Sequence, residues 1–185
     1  MKKPIKIGIF KPTNIRNDNA FATGQHIIFS HLNNLELYDI IYFSDNKNTF
    51  FPGIKTQHLT INKFKTFKNR LIRKLTGKFY FKIPTFQNVS FKEFDLIITE
   101  GLHYPLLYYL LDYNGKILFN DSITLDNMFT PKKIFHFNSN FKNHTSVLVN
   151  NRIKKLYEKY KIENRAVVIS HALDSSKIQF KQREK

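Results

Sequence analysis

The chain contains no cysteine, which excludes a disulfide framework, a thiolate zinc site and a cysteine nucleophile and agrees with a reducing compartment. Long apolar runs are also missing. The most apolar stretch, Pro105 to Leu111, falls far short of the roughly 20 residues that a transmembrane helix needs. The N-terminal run Ile5 to Phe10 is broken by Lys6 and is not followed by a small-residue cleavage site, so it does not read as a signal peptide. Neither G-x-G-x-x-G nor G-x-x-x-x-G-K-[ST] occurs, and G-x-S-x-G is missing. The seven histidines form no H-E-x-x-H or H-x-E pattern, so no protein-bound metal is expected. A self-contained hydrolase, NTPase or dehydrogenase therefore lacks its usual sequence support.

Acidic residues are scarce. In 185 residues, 14 Asp and Glu face 30 Lys and Arg, a formal net charge of +16 that favours an anionic partner such as nucleic acid, a phospholipid surface or a phosphate-bearing substrate. With 42% hydrophobic and 15% aromatic residues, the composition is too rich for a disordered basic tail and fits one folded domain. The interval between Asp45 and Glu93 has no acidic residue yet holds 11 Lys and Arg. Within it, Asn62 to Gly77 reads as a helix, with Asn62 as N-cap and Thr76-Gly77 as the stop. Phe64, Phe67, Leu71, Ile72 and Leu75 fall on one face at helical spacing, while Lys68, Arg70, Arg73 and Lys74 help fill the rest of the circumference. Two roles fit this pattern: a core-packed helix with a solvated basic back, or a helix lying in an anionic bilayer interface with its Phe and Leu side chains below the headgroups.

The rest of the chain alternates strand and helix patterns. Strands are expected at 5–10, 38–43, 56–61, 94–99, 116–119, 147–149 and 166–170. Helices are expected at 24–35, with Ile27, Ile28, Leu32 and Leu35 facing inward, over Pro105 to Leu111, and at 151–161, where Asn150 and Asn151 read as caps. The stretch from Asn120 to about His144 is less regular. This alternation predicts an α/β fold: a Rossmann-like, mostly parallel sheet with helices on both faces. Ligands of such sheets bind beyond the carboxyl ends of the strands. The residues that follow the strands are therefore the candidates: Thr23, Gly24 and Gln25 after the first, Glu100 and His103 after the central one, and Asn120, Asp121 and Ser122 after the next.

The order of these segments resembles the N-terminal domain of a GT-B glycosyltransferase of the family 4 type. KIGIF with ATGQHIIFSHL (residues 22–32) is similar to the family's first strand, small turn and first helix. FDLIITEGLHYPLLYYLL (94–111), KILFNDS (116–122) and the closing strand, helix and strand of residues 145–180 complete the likeness. The family's Gly-Gly turn is Thr23-Gly24-Gln25 here, and Asn120 stands where a histidine is often found. The resemblance implies one half of a GT-B fold: a single domain over residues 1–176, with 177–185 a basic tail or the start of an interdomain linker. The nucleotide-sugar site would belong to a second domain beginning after Phe180, absent here or supplied by another chain. The donor is then a substrate, and no further cofactor is implied.

On this resemblance Thr23, Gly24 and Gln25 would offer N–H groups to the donor diphosphate. Glu100, His103 and Asp121 would bind or polarise an acceptor hydroxyl, and Asn120 and Ser122 would line the acceptor. Each also has a structural reading, the first group as a plain helix cap and Asp121 as a cap or solvated rim residue. The basic helix stands where relatives that use lipid-linked acceptors often carry one. Its membrane contacts would be Phe64, Phe67, Lys68, Arg70, Leu71, Arg73 and Lys74, putting the protein in the cytoplasm, peripheral on the inner face of the membrane. The other class left open is a basic nucleic-acid-binding or partner-binding module without catalytic activity, using the same cations on phosphates.

Overall fold

The computed structural model describes residues 3–10, 29, 31–45, 54–76, 84–87, 89–99, 106–121 and 129–169. Its centre is a seven-stranded sheet of β1 (Ile5–Phe10), β2 (Tyr38–Ser44), β3 (Lys55–His58), β6 (Leu96–Thr99), β7 (Lys116–Asp121), β8 (Thr145–Leu148) and β9 (Arg165–Val168). The spatial order is β3-β2-β1-β6-β7-β8-β9, and every neighbouring pair is parallel. The chain winds outward from β1 to β3, returns to β6 beside β1, and winds outward again to β9. This is the doubly wound, Rossmann-like order, with its reversal between β1 and β6.

Two apolar layers hold the sheet. Ile7, Ile9, Ile40, Tyr42 and Ile98 fill one face, against which Phe29 and, from a helical segment at 31–34, Leu32 pack. Phe10, Phe43, Ile97, Phe119 and Leu148 fill the other. That second layer is covered by a 3-10 turn at Leu106–Tyr109 and by two helices, α2 (Pro131–Phe141) and α3 (Asn151–Lys159). The period-2 alternation of strands with both faces buried produces this division. Gly8 sits where the sheet is tightest, since a Cβ there would lie 2.7 Å from Ile97 Cδ1 and 3.1 Å from Phe43.

Several expectations change. Within the stretch 120–144, expected without a regular pattern, Pro131–Phe141 form a helix. Thr130 Oγ1 accepts from Lys133 N at 3.4 Å, and Pro131 opens α2 with its φ already set for a helix. Leu35 is 46% exposed rather than inward, because the helical residues stop at Asn34. The strand expected at 56–61 is two. Leu59 N donates to Ser44 O at 2.7 Å, and beyond it β4 (Thr60–Ile61) leaves the main sheet to pair antiparallel with β5 (Phe86–Gln87). The other strands and α3 stand within a few residues of their expected bounds, and Asn150 caps α3 by accepting from Ile153 N at 3.0 Å.

Candidate functional site

In sheets of this order the reversal opens a crevice at the carboxyl ends of the two strands that flank it, here β1 and β6. Phe10 and Thr99 face each other there in register. Thr99 is fully buried, and its hydroxyl donates to Phe10 O at 2.7 Å, so the floor of the crevice is a fixed, satisfied bridge. Of the expected site residues, Asn120 and Asp121 close β7, beside Val147 and Leu148 of β8. Asn120 is half-buried and by alternation lies on the face of Leu118. Thr23, Gly24, Gln25, Glu100, His103 and Ser122 lie outside the described residues. Thr99 and Phe10, the last residues of the strands that lead to them, end at the crevice.

Two depressions open on the opposite edge of the sheet. One, of about 540 Å³, is lined by Phe91, Lys92, Tyr113 and Gly115. The other, of about 950 Å³, includes Ile5, Asp95 and His144. The groups in them already serve the fold. Tyr113 Oη donates to Phe94 O at 3.0 Å, and a Cβ on Gly115 would run into the Tyr113 ring. His144 Nδ1 accepts from Ile117 N at 3.2 Å, and burial pushes this imidazole below the usual histidine range, which preserves the lone pair that the bond requires. Among the described residues no group of three His, Asp or Glu is placed to hold a metal ion.

The basic helix α1 (Lys63–Thr76) is the most distinctive element. Asn62 caps it, Oδ1 accepting from Lys65 N at 2.9 Å. Its first turn carries no acid and instead Lys63 and Lys65, which oppose the helix dipole at a cost of about 0.3–1 kcal/mol each. None of its residues is buried. The half-buried positions are Thr66, Asn69 and Ile72, and the contact that Thr66 and Asn69 make is polar. Thr85 binds the helix through all three of its polar groups: its N–H donates to Thr66 Oγ1 at 3.0 Å, its hydroxyl accepts from Asn69 Nδ2 at 3.0 Å, and its carbonyl accepts from Asn62 N at 2.8 Å.

The apolar stripe therefore points outward. Phe64 is 76%, Phe67 65%, Leu71 47% and Leu75 75% exposed. At about 100° per residue these four lie within roughly 80° of one another, opposite Thr66 and Asn69. Ile72 is the exception to the single apolar face expected from the sequence, because it turns toward the body of the protein. Lys68 and Lys74 border the stripe on its two sides. A helix amphipathic in this inverted sense, apolar side out and cations flanking, has the composition of one that partitions into an anionic interface.

The helix also adjoins the rim. Leu59 is bonded to the carboxyl end of β2, and the four residues from there to Lys63 reach at most about 14 Å. Sequence reasoning missed Thr85 altogether. Its only signal is a Thr between Pro84 and a Phe-Gln pair, which does not announce a helix anchor. Searches of protein-family models and of curated proteins return no match to this chain.

Proposed function

We propose that this chain is the acceptor-side half of a glycosyltransferase, which transfers a sugar from a nucleotide-sugar donor to a membrane-associated or glycan acceptor, the donor-binding half being supplied by another chain or domain. The observation that carries the reading is the position of α1: an outward apolar stripe with flanking cations, starting within four residues of the carboxyl rim of a Rossmann-like sheet. The segment order quoted above, KIGIF with ATGQHIIFSHL and FDLIITEGLHYPLLYYLL among it, supports the same assignment.

Under this reading the rim does its work by positioning. Glu100, His103 and Asp121 hold and polarise the acceptor hydroxyl, with Asn120 and Ser122 binding its neighbours. Thr23, Gly24 and Gln25 direct N–H groups at the leaving diphosphate, whose charge grows as the glycosidic bond to the donor breaks. Helix α1 docks on the anionic inner face of a membrane, each cation near that surface contributing on the order of 1 kcal/mol. No helix of the described residues is long and apolar enough to cross a membrane, so attachment through α1 is peripheral.

The test is radiolabel transfer from a panel of UDP- and GDP-sugars into lipid and glycan fractions of membranes from the source cell. Membranes from a gene deletion are compared with those complemented by the wild-type chain or by Asp121→Asn. One labelled product is expected to vanish in the deletion, return with the wild type and return less with the variant. Identical labelling in all three would refute the assignment.

A further inference from the structure

The hold of Thr85 on α1 is only as firm as the hold on Thr85 itself, and both of its neighbours bind one phenol. Tyr109 Oη accepts from Phe86 N at 2.6 Å and donates to Pro84 O at 3.1 Å. The ring beneath that hydroxyl packs on Phe10 and Phe86, with centroids 5.6 and 5.8 Å away. Burial pushes the phenol above the usual tyrosine range, so it keeps the proton that it gives to Pro84 O.

Tyr109 also ends the 3-10 turn that begins at Leu106, and Leu106 and Leu107 are fully buried. In the sequence this turn follows directly on the segment of Glu100 and His103, which starts from the buried Thr99 at the crevice. A continuous path of hydrogen bonds and chain therefore leads from Thr66 and Asn69 of α1 through Thr85 and the peptides on either side of it to Tyr109 and the turn. Helix α1 has need of such a path. None of its residues is buried, and of its large apolar side chains only Ile72 turns toward the body. Packing thus does little to fix its angle, whereas hydrogen bonds, being directional, do.

We infer that Tyr109 is a positioning residue for membrane docking. Its hydroxyl locks Thr85, and through Thr85 the helix α1, to the turn behind Glu100 and His103, so that a bilayer held by α1 sets the orientation of the carboxyl rim. This inference rests on the docking role given to α1 above. Without the lock, α1 still enters the bilayer by its stripe and cations, and the body swings on it.

The experiment places one indole on the body, as Val167→Trp on β9, in a chain that has no tryptophan of its own. Time-resolved anisotropy is then measured on vesicles of phosphatidylcholine and phosphatidylserine. A vesicle tumbles far more slowly than indole emits, so a body fixed to α1 keeps a high residual anisotropy, while a swinging one loses it within the emission lifetime. Tyr109→Phe keeps the ring and removes both bonds of the hydroxyl. Thr66→Ala with Asn69→Ala breaks the same path at α1, where alanine preserves the helix. Each hydrogen bond lost makes local opening about five- to tenfold easier. Both variants are expected to bind vesicles as the parent does and to lose most of the residual anisotropy at Val167→Trp, whereas an indole in the stripe itself, Phe67→Trp, keeps it. Undiminished anisotropy at Val167→Trp in either variant, with the vesicles bound, would overturn the lock and leave docking through α1 standing. A parent chain that ignores vesicles, or whose binding survives Phe64→Ser with Phe67→Ser, would overturn the docking role and the lock with it.

Discussion

Replacing Phe64, Phe67 and Leu71 together by serine is expected to lower affinity for anionic vesicles by more than about a hundredfold, with little effect on folding. Each of these side chains gains roughly 1.5–3 kcal/mol when fully withdrawn from water. Insertion to partial depth still leaves more than about 3 kcal/mol for the three, at a factor of ten for each 1.4 kcal/mol. In the free protein the same side chains stand in solvent, at 76%, 65% and 47% exposure, and serine is about as good a helix former as phenylalanine. Stability should therefore move by no more than about 0.5 kcal/mol per site. A helix that packs its stripe inward behaves the opposite way, losing about 2–5 kcal/mol for each large apolar residue removed and leaving vesicle binding as it was. Vesicle sedimentation and denaturant unfolding on the same variant separate the two.

The largest loss of stability is expected at the other end of the exposure scale. Phe10 is fully buried at the end of β1. Its ring meets Phe91 at 4.9 Å, Tyr109 at 5.6 Å, Phe43 at 5.9 Å and Phe86 at 6.4 Å between centroids, all edge to face. Phe10→Ala should cost about 3–5 kcal/mol, a large fraction of the 5–15 kcal/mol that holds a typical domain together. Phe10→Leu should cost less, because it keeps most of the volume. The midpoint of urea unfolding reads both. A change below about 1 kcal/mol in the alanine variant would mean that this aromatic cluster does not tie the crevice to the layer that carries β5 and α1.

Most of the sheet can be read from the chain, because a parallel sheet buried on both faces needs near-continuous apolar strands, and IKIGIF, YDIIYF and LIIT are such runs. Caps are equally local, as Asn62 and Asn150 show. Helix α2 was not read from the sequence: Thr130-Pro131 and the helical spacing of Ile134, Phe137 and Phe141 are its signals, but the intervening His, Asn and Ser residues blur the polar face that would set them off. What periodicity cannot supply is direction. The spacing of Phe64, Phe67, Leu71 and Leu75 establishes a stripe, and a stripe reads the same whether it faces a core or a solvent. The direction here is decided by Thr85, which grips Thr66 and Asn69 on the other side of the helix and is distant in sequence. The candidate site was legible only as a rim. Topology gathers the residues after each strand at one edge, and of those named, Asn120 and Asp121 are described at that edge while the rest lie outside the described residues.

The central claim is that the stripe of α1 enters a bilayer next to the rim, and the chain has no tryptophan, so a single indole can report on it. Phe67→Trp, bound to vesicles whose acyl chains are brominated, should show a blue-shifted emission that the bromines quench. A tryptophan placed instead at Val167, on the far edge strand β9, should be unaffected. Quenching at both positions, or at neither while the protein remains bound, would contradict docking through α1.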